Sequence, residues 1–230
     1  MKDILEIIPY KGMRKTIGKK MMEAQTYPLT YDANDIDMTD LMEMRKRVNE
    51  ERGVKVSLND YIIKACAMAI QKVPMINACL FEDEKKIEVY KSVNISVMTA
   101  SEKGLVAPVI KEAQTKTVFE IAEETKVLIA KANEGTLTMD DMSEGTVGLT
   151  NVGKLGTYLC IPLPQPPQPV IIGAGTVRKA PWVMPDDSIA ARQIMTLQIG
   201  GDHRVVDGMP LGQFITEMKH ILENPSCLID

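Results

Sequence analysis

Few residues of this chain could transfer a proton near neutral pH. Imidazole is the side chain that ordinarily titrates there, and the 230 residues contain only two histidines, His203 and His220. His203 lies in the sequence GGDHRVVDG, residues 200–208, four positions before Asp207. This spacing suits an imidazole held at the edge of a buried sheet, with a carboxylate fixing the loop. The stretch is the first candidate for a catalytic site.

The elements around this stretch decide how His203 is presented. The apolar run 194–199 predicts a strand, after which Gly200 and Gly201 are expected to turn the chain sharply. Gly208 is expected to allow a second bend. A single histidine after a strand is also typical of a surface or structural residue, so the pattern alone leaves both interpretations open. His220 is predicted to lie on the surface of a helix over 213–223, without a function.

Composition excludes several classes of protein. The length fits one large domain or two small ones with ample core, and the formal net charge of −4 gives no basic surface for nucleic acid. No apolar run approaches the ~18 residues of a membrane span, and no signal peptide is recognised. The four cysteines are scattered without metal-ligand spacing. We therefore expect reduced thiols, no metal, no membrane partner and a cytoplasmic location.

The pattern of apolar residues predicts helices mixed with separate strands, which indicates an α/β fold with a mixed sheet. Helices are predicted over 11–25, 40–52, 58–72, 118–132 and 213–223, with Thr39 and Ser57 as N-caps of the second and third. Strands are predicted over 29–37, 93–100, 105–110, 145–151, 170–172 and 194–199, with hairpins around 82–86 and over 178–192 and a turn at 101–104. The proline-rich segment 162–169 is expected to be extended and without regular structure.

Several motifs occur together in one order along the chain. They are Gly12–Lys15, Tyr27-Pro28, Pro74–Ala78, Asn94–Ser96, Gly104–Ile110, Gly145-Thr146, Leu149–Gly153, Pro166–Gln168 and Asp202–Gly208. Together they resemble the catalytic (E2) domain of the dihydrolipoamide acyltransferases of 2-oxo-acid dehydrogenase complexes and, more distantly, chloramphenicol acetyltransferase. The resemblance implies a two-layer fold, a mixed sheet with helices on one face. It also implies a single catalytic domain over 1–230, with no lipoyl or peripheral-subunit-binding domain.

The resemblance implies transfer of an acyl group between a dihydrolipoyl thiol and coenzyme A. His203 would be the general base and Thr150 the donor to the oxyanion. Asp207 would pair with an arginine, Arg14 being one candidate, to fix the loop, or would hold solvent or the oxyanion. Residue-by-residue matching also suggests a set of coenzyme A contacts: Arg45, Ser57, Thr150, Asn151 and Gly175. From the sequence alone, Thr150 is equally an ordinary strand residue, Arg45 a helix-surface charge and Ser57 only a helix cap.

The resemblance further implies a homotrimer in which His203 of one subunit meets Thr150 of the next. Larger cubic or dodecahedral cores would form through the C-terminal tail, which here ends in Asp230, an acid that is costly to bury. A lipoyl-bearing domain and the E1 and E3 subunits are the expected partners. Gly200 and Gly201 depart from the family pattern, as does Gln165 before Pro166. Two rival hypotheses stay open: a coenzyme A-dependent acyltransferase acting on a small acceptor, and a core scaffold without catalysis.

Overall fold

The computed structural model describes residues 2–101 and 104–229. The helices are α1 (Met13–Gln25), α2 (Thr39–Arg52), α3 (Leu58–Lys72), α4 (Val118–Glu134) and α5 (Gly208–Glu223). The strands are β1 (Leu29–Asp37), β2 (Ala78–Phe81), β3 (Lys86–Val89), β4 (Ile95–Val97), β5 (Thr99–Ser101), β6 (Gly104–Val106), β7 (Val109–Ile110), β8 (Val147–Asn151), β9 (Val170–Ala174), β10 (Arg178–Val183) and β11 (Ile189–Asp202). Glu102 and Lys103 of the predicted turn, and Asp230 of the tail, lie outside the described residues.

A mixed sheet forms the centre of the molecule, in the order β1-β11-β9-β8-β4-β7, and β10 pairs with the first part of β11. β8 runs parallel to both β9 and β4, whereas the other pairs are antiparallel. α5 packs on β1 and β11, α4 packs on β7, and α3 lies between α4 and α5. The predicted fold class, a mixed sheet covered by helices, is confirmed.

Local sequence explains where the helices begin. α3 is buried along most of its length, and its N-terminus carries a capping box between Ser57 and Asp60. α4 begins with a second capping box, between Thr117 and Glu120. The prediction of Thr39 as an N-cap is wrong, because α2 already includes Thr39. Its hydroxyl instead donates to Asp37 and accepts from the Gln193 amide of β11.

Two predicted strands are each divided. The stretch 93–100 forms β4 in the large sheet and then β5, which pairs only with β6 in a small hairpin. The stretch 105–110 is divided in the same way between β6 and β7. Pro108 has no amide hydrogen to donate to a ladder, although its carbonyl accepts from the Val97 amide at 2.8 Å. Periodicity alone did not reveal that neighbouring residues belong to different sheets.

The glycines before His203 do not form the predicted turn. Gly200 and Gly201 remain in β11, opposite Ile171 and Val170 of β9. A Cβ on Gly200 would lie 2.8 Å from the Pro162 carbonyl oxygen and 2.9 Å from the Tyr31 ring. The glycine therefore gives clearance to a neighbouring segment, and the chain turns only at 203–205.

Gly208 likewise does not form a second bend, because it opens α5, which starts five residues before the predicted helix over 213–223. β9 is longer than predicted, since it continues through Gly173 to Ala174.

The segment 157–162 crosses β9 and β11. Gly173 makes room for Cys160, and Gly175 for the Tyr158 carbonyl. The amide of Gln198 on β11 donates to the Tyr158 carbonyl oxygen at 3.2 Å. The predicted extended connection 162–169 follows, with one turn closed by Gln168 N–H donating to Gln165 O at 2.8 Å. Four large apolar side chains of this region are exposed: Leu155, Tyr158, Leu159 and Ile161.

Candidate active site

The backbone of the His203 loop is tied to two separate segments. The His203 amide donates to the Pro28 carbonyl at 2.8 Å, and the Asp202 amide donates to Pro169 at 2.8 Å. The amides of Val205 and Val206 both donate to the Asp202 carbonyl at 2.9 Å. These four bonds fix the main chain on both sides of His203.

The residues on either side of His203 form an ion pair. Asp202 is only 2% exposed, and its carboxylate accepts from Arg204 Nε at 3.0 Å and Nη2 at 2.7 Å. These hydrogen bonds raise the pKa of the Arg204 guanidinium above its usual value, against the effect of burial. A two-point contact of this kind holds an arginine in one orientation.

Among the described residues of one chain, Asp207 contacts His203 and no arginine. Its Oδ1 lies 3.4 Å from His203 Nδ1, with side chains 82% and 48% exposed, whereas Arg14 is an exposed residue of α1. The predicted arginine partner is therefore not found within one chain. Asp207 is the extended residue just before α5, and this conformation returns its side chain toward the ring. A proton on Nδ1 would leave the Nε2 lone pair available to accept a proton.

Thr150 lies near the other end of the sheet, on β8 beside Gly173 of β9. The next residue, Asn151, donates from Nδ2 to Asn59 Oδ1 at 2.6 Å, and its Oδ1 accepts from the Gly153 amide at 2.8 Å. Gly153 in turn approaches the Gly175 carbonyl so closely that a Cβ would lie 2.7 Å from it.

The structure therefore gathers Thr150, Asn151, Gly175 and the start of α3 with Ser57. Asn59 also belongs to this group and was missed, because nothing in its local sequence reveals a partner 92 residues away.

Ser57 and Arg45 have different surroundings at this end. The Ser57 hydroxyl accepts from the Asp60 amide, so the structural role predicted for it is present. Arg45 on α2 is half-buried, and its Nε has no hydrogen-bond partner. The hydroxyl of the fully buried Tyr61 also has none. Burial raises the pKa of Tyr61, and the positive charge of Arg45 opposes part of that increase. Arg45 is thus a cation with unused donor capacity.

Within one chain His203 and Thr150 cannot meet. Thr150 of β8 is paired with Gly173 of β9, and Gly173 is paired with Gln198 of β11. His203 follows Gln198 by five residues. At about 3.3 Å per residue along a strand and about 4.8 Å between strands, the two residues are roughly 19 Å apart. The structure thus places the two predicted catalytic side chains at opposite ends of the sheet.

Two clefts lie near the histidine end. The larger, of about 760 Å³, contains none of the predicted site residues and is lined by the β2–β3 hairpin and the residues before β8. The smaller, of about 440 Å³, lies against the His203 loop, with Tyr27, Glu82, Asp202 and Arg204 among its lining residues. Only the smaller cleft touches the motif.

Neither a metal-binding cluster nor a membrane-spanning helix is found among the described residues. Over 2–101 and 104–229, no three histidine, cysteine or acidic side chains come together in a way that could hold a metal ion. No helix in these ranges is long and apolar enough to cross a membrane. Cys66, Cys79 and Cys160 are free thiols, and burial raises the pKa of Cys79 to about 11.

Comparison with known sequences gives matches over almost the whole chain. A dihydrolipoyllysine-residue acetyltransferase component of the pyruvate dehydrogenase complex from Rickettsia conorii is 35% identical over 228 residues, 97% of this chain and 55% of that protein. A dihydrolipoyllysine-residue succinyltransferase component of a 2-oxoglutarate dehydrogenase complex from Arabidopsis thaliana is 32% identical, over 99% of this chain and 50% of that protein. The chain thus spans about half the length of the curated relatives it matches.

Solved structures agree with these matches. A probable dihydrolipoamide acetyltransferase from Listeria monocytogenes superposes with a TM-score of 0.90 at 32% identity, covering 95% of this chain and 94% of that one. A chloramphenicol acetyltransferase superposes with a TM-score of 0.58 at 14% identity over 94% of this chain and 99% of that one, which shows the shared fold alone. The family model described as 2-oxoacid dehydrogenases acyltransferase (catalytic domain) matches residues 3–229. The chain belongs to this acyltransferase family.

Proposed function

We propose that the protein transfers an acyl group between the thiol of a dihydrolipoyl group and coenzyme A, at a site shared between two copies of the chain. The observation that carries the proposal is the separation of roughly 19 Å between His203 and Thr150 along the sheet. Each chain then offers one half of a site at each end of its sheet. The family membership and the named relatives support this activity.

His203 is the general base in this proposal. A thiol has an ordinary pKa near 8.5, so most of it is protonated at neutral pH and attacks poorly. His203 Nε2 accepts the thiol proton as the sulfur attacks the thioester carbonyl carbon. His203 then returns this proton to the departing sulfur, so the enzyme is unchanged after the transfer. Asp207, 3.4 Å from Nδ1, favours the tautomer that leaves Nε2 free.

Thr150 from the neighbouring copy donates its hydroxyl hydrogen to the carbonyl oxygen as negative charge develops there. Coenzyme A would enter from the Thr150 end. The contacts proposed for it are Arg45, Ser57, Thr150, Asn151 and Gly175. The unpartnered Nε of the half-buried Arg45 supports a phosphate contact. The dihydrolipoyl group would enter from the other side of the site, carried by another domain or chain.

The assembly proposed is a homotrimer. His203 and Thr150 lie on two different surfaces, and contact between two different surfaces forms a ring when the rotation between copies closes. The number of three copies follows from the family resemblance. The exposed apolar segment of Leu155, Tyr158, Leu159 and Ile161 adjoins the Thr150 end and supports burial against a neighbour. We further propose a place in a 2-oxo-acid dehydrogenase complex with E1 and E3 subunits. The buried thiols of Cys66 and Cys79 favour a reducing compartment, which we take to be the cytoplasm.

Mixed assemblies test the shared site. His203→Ala and Thr150→Val chains are each expected to be nearly inactive in transfer from acyl-CoA to dihydrolipoamide. A ring containing both chains has one interface that unites an intact His203 with an intact Thr150. Co-expression in equal amounts should therefore restore about one quarter of wild-type activity.

The control mixes separately assembled variants, which exchange no subunits and should stay inactive. An inactive co-expressed mixture would overturn the shared site. Transfer by the wild-type protein only to small amines or alcohols would overturn the lipoyl acceptor.

A further inference from the structure

The Arg204 guanidinium is held from three directions. Asp202 binds it at two points, and Glu82 Oε1 accepts from Nη1 at 2.6 Å. The Tyr27 ring lies beneath it, with its centroid 4.1 Å from Cζ. We call Tyr27, Glu82, Asp202 and Arg204 the Arg204 clamp. Two of its members, Tyr27 and Glu82, belong to parts of the chain far from the His203 motif.

The clamp joins three elements around one histidine. Tyr27 follows α1, Glu82 begins the turn between β2 and β3, and Asp202 ends β11. His203 lies between Asp202 and Arg204, and its amide is bonded to Pro28, the residue after Tyr27. The Tyr27-Pro28 dipeptide therefore fixes the main chain of His203 and supports the side chain that follows it.

The His203 ring has little other support in the described chain. Its side chain is 48% exposed, and the one acid beside it, Asp207, is 82% exposed. An ion pair in this setting is weak. The position of the ring therefore depends on the backbone of 202–204, which the clamp holds, and proton transfer depends steeply on the distance between the reacting atoms.

We propose that Tyr27 and Glu82 are positioning residues for His203, acting through Arg204. The proposal rests on the proposed function for the role of His203, but the placement of the ring can be measured without activity. The aromatic face of Tyr27 is the feature required, since it is the face that attracts the guanidinium. Its hydroxyl makes only a long contact, 3.5 Å from Oε1 of the exposed Glu23, and is expected to be dispensable. Glu82 must carry its negative charge to hold the Arg204 guanidinium.

Steady-state kinetics of acyl transfer tests the two residues with matched controls. Tyr27→Leu removes the ring and should lower kcat about 10-fold, whereas Tyr27→Phe keeps the ring and should match the wild type. Glu82→Ala should lower kcat about 3-fold. The control for it is Glu84→Ala in the same turn, since Glu84 pairs with Lys86 instead. KM should not change in any variant.

Two further measurements distinguish positioning from simple instability. A loss of folded protein scales the whole pH profile of kcat evenly, whereas a displaced base changes its shape, as we expect for Tyr27→Leu. Because Arg204 lines the open cleft of about 440 Å³, ethylguanidinium should restore part of the activity of Arg204→Ala. An unchanged kcat in Tyr27→Leu and Glu82→Ala, or an equal loss in Tyr27→Phe, would overturn the proposal.

Chemical modification measures the accessibility of the His203 ring without relying on acyl transfer. Diethyl pyrocarbonate labels neutral imidazoles, and His220, exposed on α5, is an internal reference for His203. Tyr27→Leu should raise the ratio of His203 to His220 labelling at least ~2-fold, since a freed ring is more accessible. An unchanged ratio contradicts the clamp. If the wild type showed no acyl transfer but Tyr27→Leu still raised the labelling ratio, the proposed function would be contradicted and the role of the Arg204 clamp would stand.

Discussion

The two ends of the central sheet are built on different principles. At the histidine end, exposed side chains lie on a main chain that is held by amide hydrogen bonds and by the charged contacts of Asp202, Arg204 and Glu82. At the Thr150 end, amide hydrogen bonds such as Asn151 to Asn59 and closely approaching glycines fix the structure instead. The first end should therefore respond to salt and to loss of charge, and the second to changes in side-chain volume.

The difference suits the two roles. A base must accept and release a proton in each cycle, so its side chain needs space and access to the substrate. A hydroxyl that stabilises developing charge needs a fixed direction, which the sheet register supplies. Neither end holds both groups, and substitutions at the two ends test whether one reaction uses them together.

The largest effect is expected from His203→Ala at the histidine end. Loss of the general base should lower kcat for acyl transfer by about 10²–10⁴. The fold should be intact, because the His203 side chain is half exposed and its backbone bonds remain. His220→Ala is the control and should leave kcat unchanged. Equal activity in the two variants would show that the histidine end takes no part in the chemistry.

At the Thr150 end, Thr150→Val removes the hydroxyl at nearly constant volume. The expected loss is about 10²–10³ in kcat, the usual cost of one donor to an oxyanion. Thr150→Ser keeps the hydroxyl and should retain most of the activity. Should the valine variant keep full activity, Thr150 would be only a strand residue, and the oxyanion donor would lie elsewhere.

Arg45→Gln should act on binding and not on chemistry. Loss of a charged hydrogen bond should raise the KM for coenzyme A about 10-fold with kcat little changed. Dephospho-coenzyme A, which lacks the 3′-phosphate, shows whether Arg45 contacts that phosphate or another part of coenzyme A. If Arg45 binds that phosphate, the variant and the wild type should use the truncated substrate equally well. A variant that loses kcat instead would assign Arg45 a structural role beside Tyr61.

At the histidine end, the sequence predicted which side chains lie together better than it predicted the backbone. His203 and Asp207 are four positions apart in one motif and are in contact. The role of Gly200 was not predicted, because the Pro162 carbonyl that requires it belongs to a distant segment. Asn59 was missed for the same reason, as its partner Asn151 is distant in sequence. Local patterns give element types, whereas contacts between distant segments decide where strands divide and which side chains meet.

Asp207→Asn should have a small effect on acyl transfer if Asp207 stays as exposed in the assembled protein as it is in one chain. The carboxylate is 82% exposed, and exposed ion pairs contribute about 0.2–1 kcal/mol, which corresponds to a loss of about 1.5–5-fold in kcat. The loss should shrink as salt increases, because screening already weakens the pair. A loss well above 10-fold would indicate that a neighbouring copy buries Asp207 in the assembled site, and so would sharpen the contrast between the two ends.

Asp60→Asn should stabilise the Thr150 end slightly. Burial raises the pKa of Asp60, although hydrogen bonds from Ser57 oppose the shift. A raised folded-state pKa means that stability falls as pH rises above the unfolded value near 4 and through the folded value. The neutral asparagine avoids this loss and can still accept from Ser57 N–H. Its free energy of unfolding should exceed that of the wild type by about 0.5–1 kcal/mol at pH 7, with no difference below about pH 4.

Glu120 of the equivalent capping box on α4 provides a control of opposite sign. Hydrogen bonds from Thr117 lower the pKa of Glu120, so its contribution is present above the unfolded value near 4.3 and is lost as pH falls through the folded one. Glu120→Gln should therefore destabilise the protein at pH 7 and not at low pH. Urea unfolding at equal protein concentration measures both variants. If both substitutions changed the free energy of unfolding at pH 7 in the same direction, burial would not distinguish the two capping boxes.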